Sequence, residues 1–140
     1  MDAQAPYRLE DQVGFLMRVA MQRHTTIFMA QMIEDLTQTQ FAALARLHAV
    51  GTCSQNHLGR LIHLDAATIK GVVDRLRARG FVQTASDPED RRRHAVALTE
   101  TGRAVVRKAE RIALQISADT LAPLTPRERN DLIALLRKLG

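Results

Sequence analysis

Residues 54–99 read SQNHLGRLIHLDAATIKGVVDRLRARGFVQTASDPEDRRRHAVALT. Within this stretch the apolar residues change period once, from helical to strand-like, and that change decides the fold. Ser54 is placed to cap a short helix from Gln55 to about His63, with Leu58, Leu61 and Ile62 as its apolar residues. Asp65 caps the next helix, Ala66 to Arg79. There Ile69, Val72, Val73 and Leu76 share one face, and Gly80 supplies the stop. Beyond Gly80 the pattern alternates, so Phe81–Ser86 and His94–Thr99 read as two strands, with Val96 and Leu98 on one face of the second. The polar segment 87–93 between them, Asp87-Pro88-Glu89-Asp90-Arg91-Arg92-Arg93, reads as a hairpin tip.

Upstream, Thr37-Gln38-Thr39-Gln40 has the form of a capping box and opens a helix through Phe41, Leu44 and Leu47 that stops at Gly51. Residues 9–34 read as one long helix in which Val13, Leu16, Met17, Ala20, Met21, Ile27 and Phe28 recur at helical spacing. A helix of that length carries more apolar surface than a small head covers, so part of it is expected to pack on a second subunit. Downstream, Thr99 or Thr101 opens a helix through Val105, Val106, Ala109, Ile112 and Ile116. Thr125-Pro126-Arg127-Glu128, a capping box with Pro at its first helical position, launches a last one bearing Leu132, Ile133, Leu135, Leu136 and Leu139.

The expected fold is mainly α with a small β-hairpin wing: a winged helix-turn-helix with N- and C-terminal dimerisation helices. The expected division is an N-terminal dimerisation helix over 1–35, a DNA-binding head over 36–99 and C-terminal dimerisation helices over 100–140, one intertwined domain overall.

Charge agrees with that layout. The chain carries a formal net charge of +5, a balance that favours a polyanionic partner. Its location says more than its size. Between Arg60 and Arg93 eight cations face five acids, whereas residues 1–36 hold three cations and five acids. Cys53 is the single cysteine, which excludes an intramolecular disulfide and fits a reducing compartment. Without a signal peptide or a membrane-length apolar run, the expected location is the cytoplasm.

In a winged helix-turn-helix the second helix of the turn enters the major groove, and its N-terminal residues reach base edges. Here those positions are Ala66, Ala67, Thr68, Lys70 and Gly71. Thr68 can donate, accept or touch a thymine methyl, Lys70 can reach guanine acceptors or a phosphate, and Ala67 and Gly71 are small enough for close approach. Arg75 and Arg77 lie further along, where phosphates run. An arginine run such as Arg91-Arg92-Arg93 is by itself an ordinary solvated loop. Directly behind a helix-turn-helix it reads as a wing tip for the minor groove, with Asp90 placed to aim Arg92.

The ordered series Leu36-Thr37, Gln40-Phe41, Leu58, Leu61, Val73-Asp74-Arg75-Leu76, Gly80-Phe81-Val82, Asp87-Pro88-Glu89-Asp90-Arg91-Arg92 and Leu98-Thr99-Glu100-Thr101-Gly102 resembles the MarR family of regulators from Leu36 to Arg103. The resemblance implies a homodimer with interlocked terminal helices and two winged heads on a pseudo-palindromic operator in duplex DNA. It also implies a repressor released by a small aromatic or phenolic carboxylate, and the chain looks like the branch that controls breakdown of nicotinate-type or other aromatic acids. It places recognition contacts on Ala67, Thr68, Lys70 and Gly71, and the wing's Asp-x-Arg on Asp90 and Arg92. Peroxide-sensing members carry a reactive cysteine in a stretch similar to Leu9–Phe15, where this chain has Gly14.

For the effector, Arg18 offers a planar fork to a carboxylate, with Met17, Met21 and Phe41 as pliable apolar walls and His48 beside them. The competing reading makes Arg18 an intersubunit salt bridge, His24 an interface histidine, and the Met and Phe residues plain core. Cys53 with His48, His57 and His63 raises a metal or redox alternative. Cys53 and His57 flank a helix cap, however, and His57 and His63 fall on different helix faces, so no metal or cofactor is expected. A ligand-independent DNA-coating protein is the other alternative. No nucleophile elbow, phosphate-binding glycine loop or zinc-protease motif is present, which argues against an enzyme.

Overall fold

The structure, a computed structural model, describes residues 5–86 and 94–140. Along the chain come a 3-10 turn at Leu9–Asp11, then α1 (Val13–Gln31), α2 (Gln38–Val50), β1 (Cys53–Ser54), α3 (Gln55–Leu61) and α4 (Ala66–Ala78). They are followed by β2 (Val82–Ser86), β3 (His94–Leu98), α5 (Glu100–Thr120) and α6 (Pro126–Leu139). Two compact units result: Met32–Leu114, and Met1–Gln31 with Gln115–Gly140.

In the unit Met32–Leu114, α2, α3 and α4 pack with the sheet on one core. Leu44, Leu47, Leu58, Ile69, Val73 and Leu76 are buried there, together with Val96 from β3 and Val106 and Ala109 from α5. Each fully buried aliphatic side chain of this kind contributes about 1.5–3 kcal/mol. The helix ends are closed by the side chains the sequence offers. Thr37 and Gln40 form a reciprocal capping box on α2, the Ser54 hydroxyl accepts from His57 N–H on α3, and Asp65 accepts from Thr68 N–H on α4. At the far end of α4, Gly80 takes φ +78, which lets its own N–H reach the Arg77 carbonyl and the Phe81 N–H reach that of Leu76. Phe81, buried, folds back beside Leu76 and ends the helix.

Three expectations need correction here. The sheet has three strands in the order β1-β3-β2, because Cys53 and Ser54 pair antiparallel with Val96 and Ala95. Two residues are too short a run to show alternation, so β1 was not legible. The helix expected to run to His63 stops at Leu61, because His63 is left-handed (φ 59) and Leu64 N–H bonds back to the Gly59 carbonyl. The helix expected over 9–34 is interrupted at Gln12, which is extended, and it ends at Gln31. Glu34 and Asp35 (φ 58 and 50) then turn the chain so that Leu36 enters the core.

In the other unit, Arg23 sits at the C-terminal end of α5, donating to the carbonyls of Asp119 (2.9 Å) and Thr120, groups that the helix itself leaves unpaired. The Asp119 carboxylate accepts from Gln31 at 2.7 Å and Gln115 at 2.8 Å, which holds it below the ordinary carboxylate range. His24 bonds Thr120 Oγ1 at 2.9 Å and leans on the Phe28 ring. Thr125 and Glu128 form the capping box of α6 with Pro126 inside it. In a single chain this unit leaves much of its apolar surface open. Val13, Met17 and Met21 on α1 are exposed, as are Met29 at 76% and Leu139 at 69%. Among the described residues no helix is long and apolar enough to cross a membrane.

Candidate nucleic-acid interface

α4 is two-sided. Ile69, Val72, Val73 and Leu76 are buried, while Ala66, Ala67, Thr68, Lys70, Arg75 and Arg77 face out. The apolar face locks the helix to the core, so the orientation of the outer face is fixed by packing rather than by a flexible linker. Four of the five predicted recognition positions, Ala66, Ala67, Thr68 and Lys70, are therefore exposed on one helix, as is Arg75 further along it. Gly71 is only half-exposed, because the Arg75 guanidinium lies back across it, 3.1 Å from where a β-carbon would stand.

Asp65 caps the N-terminal end of α4. It accepts from Thr68 N–H at 2.7 Å. Hydrogen bonding from the Thr68 side chain first, then its backbone, holds the carboxyl below the usual value. A hydroxyl has one donor and two lone pairs. A Thr68 hydroxyl that donates to Asp65 keeps its lone pairs as acceptors. The cations behind it are also placed. Lys70 Nζ lies 2.8 Å from Asp74 Oδ2, and Arg77 reaches Asp74 Oδ1 at 3.4 Å and Thr84 Oγ1 on β2 at 3.2 Å. Asp74 and Thr84 were not singled out in the sequence. The Lys70/Asp74 spacing of four was the readable signal for the first, and nothing local marks the second.

The wing strands pair from Val82↔Leu98 to Ser86↔His94, leaving residues 87–93 as their connection. The wing contacts expected at Asp90, Arg91, Arg92 and Arg93 lie outside the described residues. Of the effector positions, Met17, Arg18 and Met21 are exposed on α1, with the Arg18 guanidinium 5.4 Å from the Phe15 ring centre. Phe41 and His48 are half-buried on α2, and His48 Nδ1 lies 2.6 Å from Glu110 Oε1. Cys53 is half-buried in β1 and burial pushes its thiol pKa up, the wrong direction for a reactive thiolate. Among the described residues no three His, Cys, Asp or Glu side chains converge as metal ligands.

A helix-turn-helix with an exposed second helix, backed by a three-stranded antiparallel sheet, is the architecture of a winged-helix transcription regulator. The chain belongs to the MarR family, whose model matches residues 36–94. It is 44% identical over 135 residues to the HTH-type transcriptional repressor NicR of Pseudomonas putida, covering 96% of this chain and 85% of that one. Among solved structures it is similar to BpsR of Bordetella bronchiseptica, a structure concerned with regulation of DNA binding by 6-hydroxynicotinic acid. There the TM-score is 0.90 at 42% identity, with 96% of this chain and 97% of that one covered. It is also similar to the PcaV transcriptional regulator of Streptomyces coelicolor in complex with its natural ligand. That match has a TM-score of 0.90 at 32% identity, over 97% of this chain and 96% of the other.

Proposed function

We propose that the protein is a ligand-responsive repressor acting as a homodimer on a pseudo-palindromic operator in the cytoplasm, with an aromatic carboxylate as effector. The observation that carries the reading is the exposed N-terminal half of α4, Ala66 to Lys70, capped by Asp65 and locked to a core on its other face. Thr68 accepts from base amino groups or meets a thymine methyl, and Lys70 donates to guanine. Ala67 and Gly71 allow close approach. Arg75 and Arg77 hold phosphates, and Asp90 with Arg91, Arg92 and Arg93 serves the minor groove. Two such helices on a twofold dimer read half-sites about 34–36 Å apart, one helical turn. The open apolar surface of α1 and α6 supports the dimer, since uncovered side chains of that number are unusual on a monomer.

Effector contacts are assigned to Met17, Arg18, Met21, Phe41 and His48. Arg18 suits a carboxylate, and the similarity to BpsR, whose DNA binding is regulated by 6-hydroxynicotinic acid, supports a nicotinate-type acid. Effector and operator then weaken each other by the same factor. The test is a gel-shift titration against the duplex upstream of the protein's own gene, with 6-hydroxynicotinic acid added. A retarded complex that the acid dissolves is expected. A complex indifferent to every aromatic acid tried overturns the effector assignment, and no complex at any salt overturns the operator reading.

A further inference from the structure

Two cations of α4, Lys70 and Arg77, are tied to neighbouring side chains in the absence of DNA. Lys70 Nζ donates to Asp74 Oδ2 at 2.8 Å, Arg77 Nη2 to Asp74 Oδ1 at 3.4 Å, and Arg77 Nη1 to Thr84 Oγ1 at 3.2 Å. Asp74 thus stands between two residues assigned to DNA, one turn to either side, and a carboxylate there repels phosphate. We propose that Asp74 is a positioning residue that sets the ratio of specific to non-specific DNA binding, by presenting Lys70 to base acceptors in one orientation and withholding it from phosphates elsewhere. The inference rests on the DNA-binding reading above.

Surface ion pairs of this exposure contribute little to folding, so stability alone does not account for a carboxylate on a DNA-facing helix. An ammonium carries three donors and no acceptor. With one donor on Asp74, the other two point in fixed directions. Where an operator places a guanine edge in those directions, Lys70 bonds it without leaving Asp74. On an unrelated duplex the available acceptors are phosphates, and reaching them means breaking the 2.8 Å bond while Asp74 is left against the backbone. Arg77, tied to both Asp74 and Thr84, is restrained in the same way. Hydrogen bonding from Lys70, then the charges of Lys70, Arg77 and Arg75, hold the Asp74 carboxyl below its ordinary value. It therefore stays charged in any buffer used for binding.

The test compares the wild type, Asp74→Asn, Asp74→Glu and Lys70→Gln on two duplexes of equal length across a range of KCl. One duplex is selected from a random pool by the wild-type protein, and the other is scrambled. For Asp74→Asn, affinity for the scrambled duplex is expected to rise about tenfold. Its salt slope should steepen by about 1 for each cation that transfers to a phosphate. Affinity for the selected duplex is expected to change less than about threefold, near the lower end of what one base contact gives. Asp74→Glu keeps the pairing and should retain the wild-type ratio. Lys70→Gln in the Asp74→Asn background should remove the extra slope.

Equal gains on both duplexes would mean plain charge repulsion and overturn the proposal. So would equal losses with the thermal transition unchanged. If Asp74→Asn does not fold, Lys70→Gln decides alone: a loss confined to the selected duplex supports the proposal, and an equal loss on both refutes it. Failure of the wild type to enrich any sequence would instead remove the DNA-binding reading itself.

Discussion

The backbone of Gly102, at the third position of α5, lies directly against that of Phe81. A β-carbon on Gly102 would run into the Phe81 carbonyl oxygen and stand 2.8 Å from its carbonyl carbon. Thr99 closes the same corner. Its N–H donates to the Phe81 carbonyl at 3.1 Å, its hydroxyl donates to the Gly80 carbonyl at 2.6 Å, and it accepts from Gly102 N–H at 3.0 Å. The end of the recognition helix, the start of the wing strand β2 and the start of α5 meet at this point.

Gly102→Ala is therefore expected to destabilise the protein by about 3 kcal/mol, the upper range for overpacking, because the obstructing atoms are backbone and cannot rotate away. A urea melt measures it. A midpoint within error of the wild type would mean that the two backbones part enough in solution to admit a β-carbon.

His63 occupies the turn of the helix-turn-helix with φ 59, and its N–H reaches the Arg60 carbonyl at 3.3 Å. A residue with a β-carbon costs about 1–2 kcal/mol in that region, and glycine avoids this at the expense of some unfolded-state entropy. His63→Gly should therefore stabilise the protein by about 0.5–1 kcal/mol and leave operator affinity unchanged. A lower melting temperature would show that the exposed imidazole makes a contribution beyond the turn.

These two residues also mark where sequence reading succeeds and stops. The caps at Thr37, Ser54, Asp65 and Thr125 were legible because each needs only its own side chain and an amide three residues on. The apolar face of α4 was legible because the helical period survives without tertiary help. His63 was not, since nothing in its chemistry announces a left-handed backbone. Neither was β1, whose pairing with β3 is set by residues some forty positions away. On the exposed face of α4, the placement of Thr68 and Lys70 followed from the cap and the helix register. The restraint on Arg77 depends on Thr84, and sequence spacing does not bring those two together.

The Asp65 cap carries a pH dependence of definite sign. Hydrogen bonds from Thr68 lower its folded-state pKa below the ordinary carboxylate value. Its contribution is complete above that value and is lost as pH falls through the lower, folded one. Asparagine also caps helices well but carries no charge. The melting temperature of the wild type should thus exceed that of Asp65→Asn at neutral pH, with the gap closing below about pH 4. A gap that stays constant down to about pH 2 would assign the difference to hydrogen-bond geometry rather than to charge.

Arg79, the last residue before Gly80, connects the recognition helix to the turn that follows α1. It donates to the Glu34 backbone carbonyl, its Nη2 lies 3.3 Å from Glu34 Oε2, and its guanidinium stacks 4.7 Å from the Phe81 ring centre. Glu34 and Asp35 are both left-handed without being glycine, so this turn needs an external partner to hold it. The bond to the carbonyl supplies one, and the carboxylate, half-exposed, adds little in water. The two contributions separate by mutation. Arg79→Ala removes the carbonyl bond and the stacking together and should cost about 1–2 kcal/mol. Glu34→Gln keeps the carbonyl and removes only the charge, so it should cost no more than about 0.5 kcal/mol. Arg79→Lys keeps the charge but has no planar fork to reach the carbonyl and lie over the ring at once, so it should recover less than half of the alanine loss. Denaturant melts of the three variants decide the matter. Glu34→Gln costing as much as Arg79→Ala would place the stabilisation in the ion pair, and lysine restoring full stability would show that the fork is not what holds the turn.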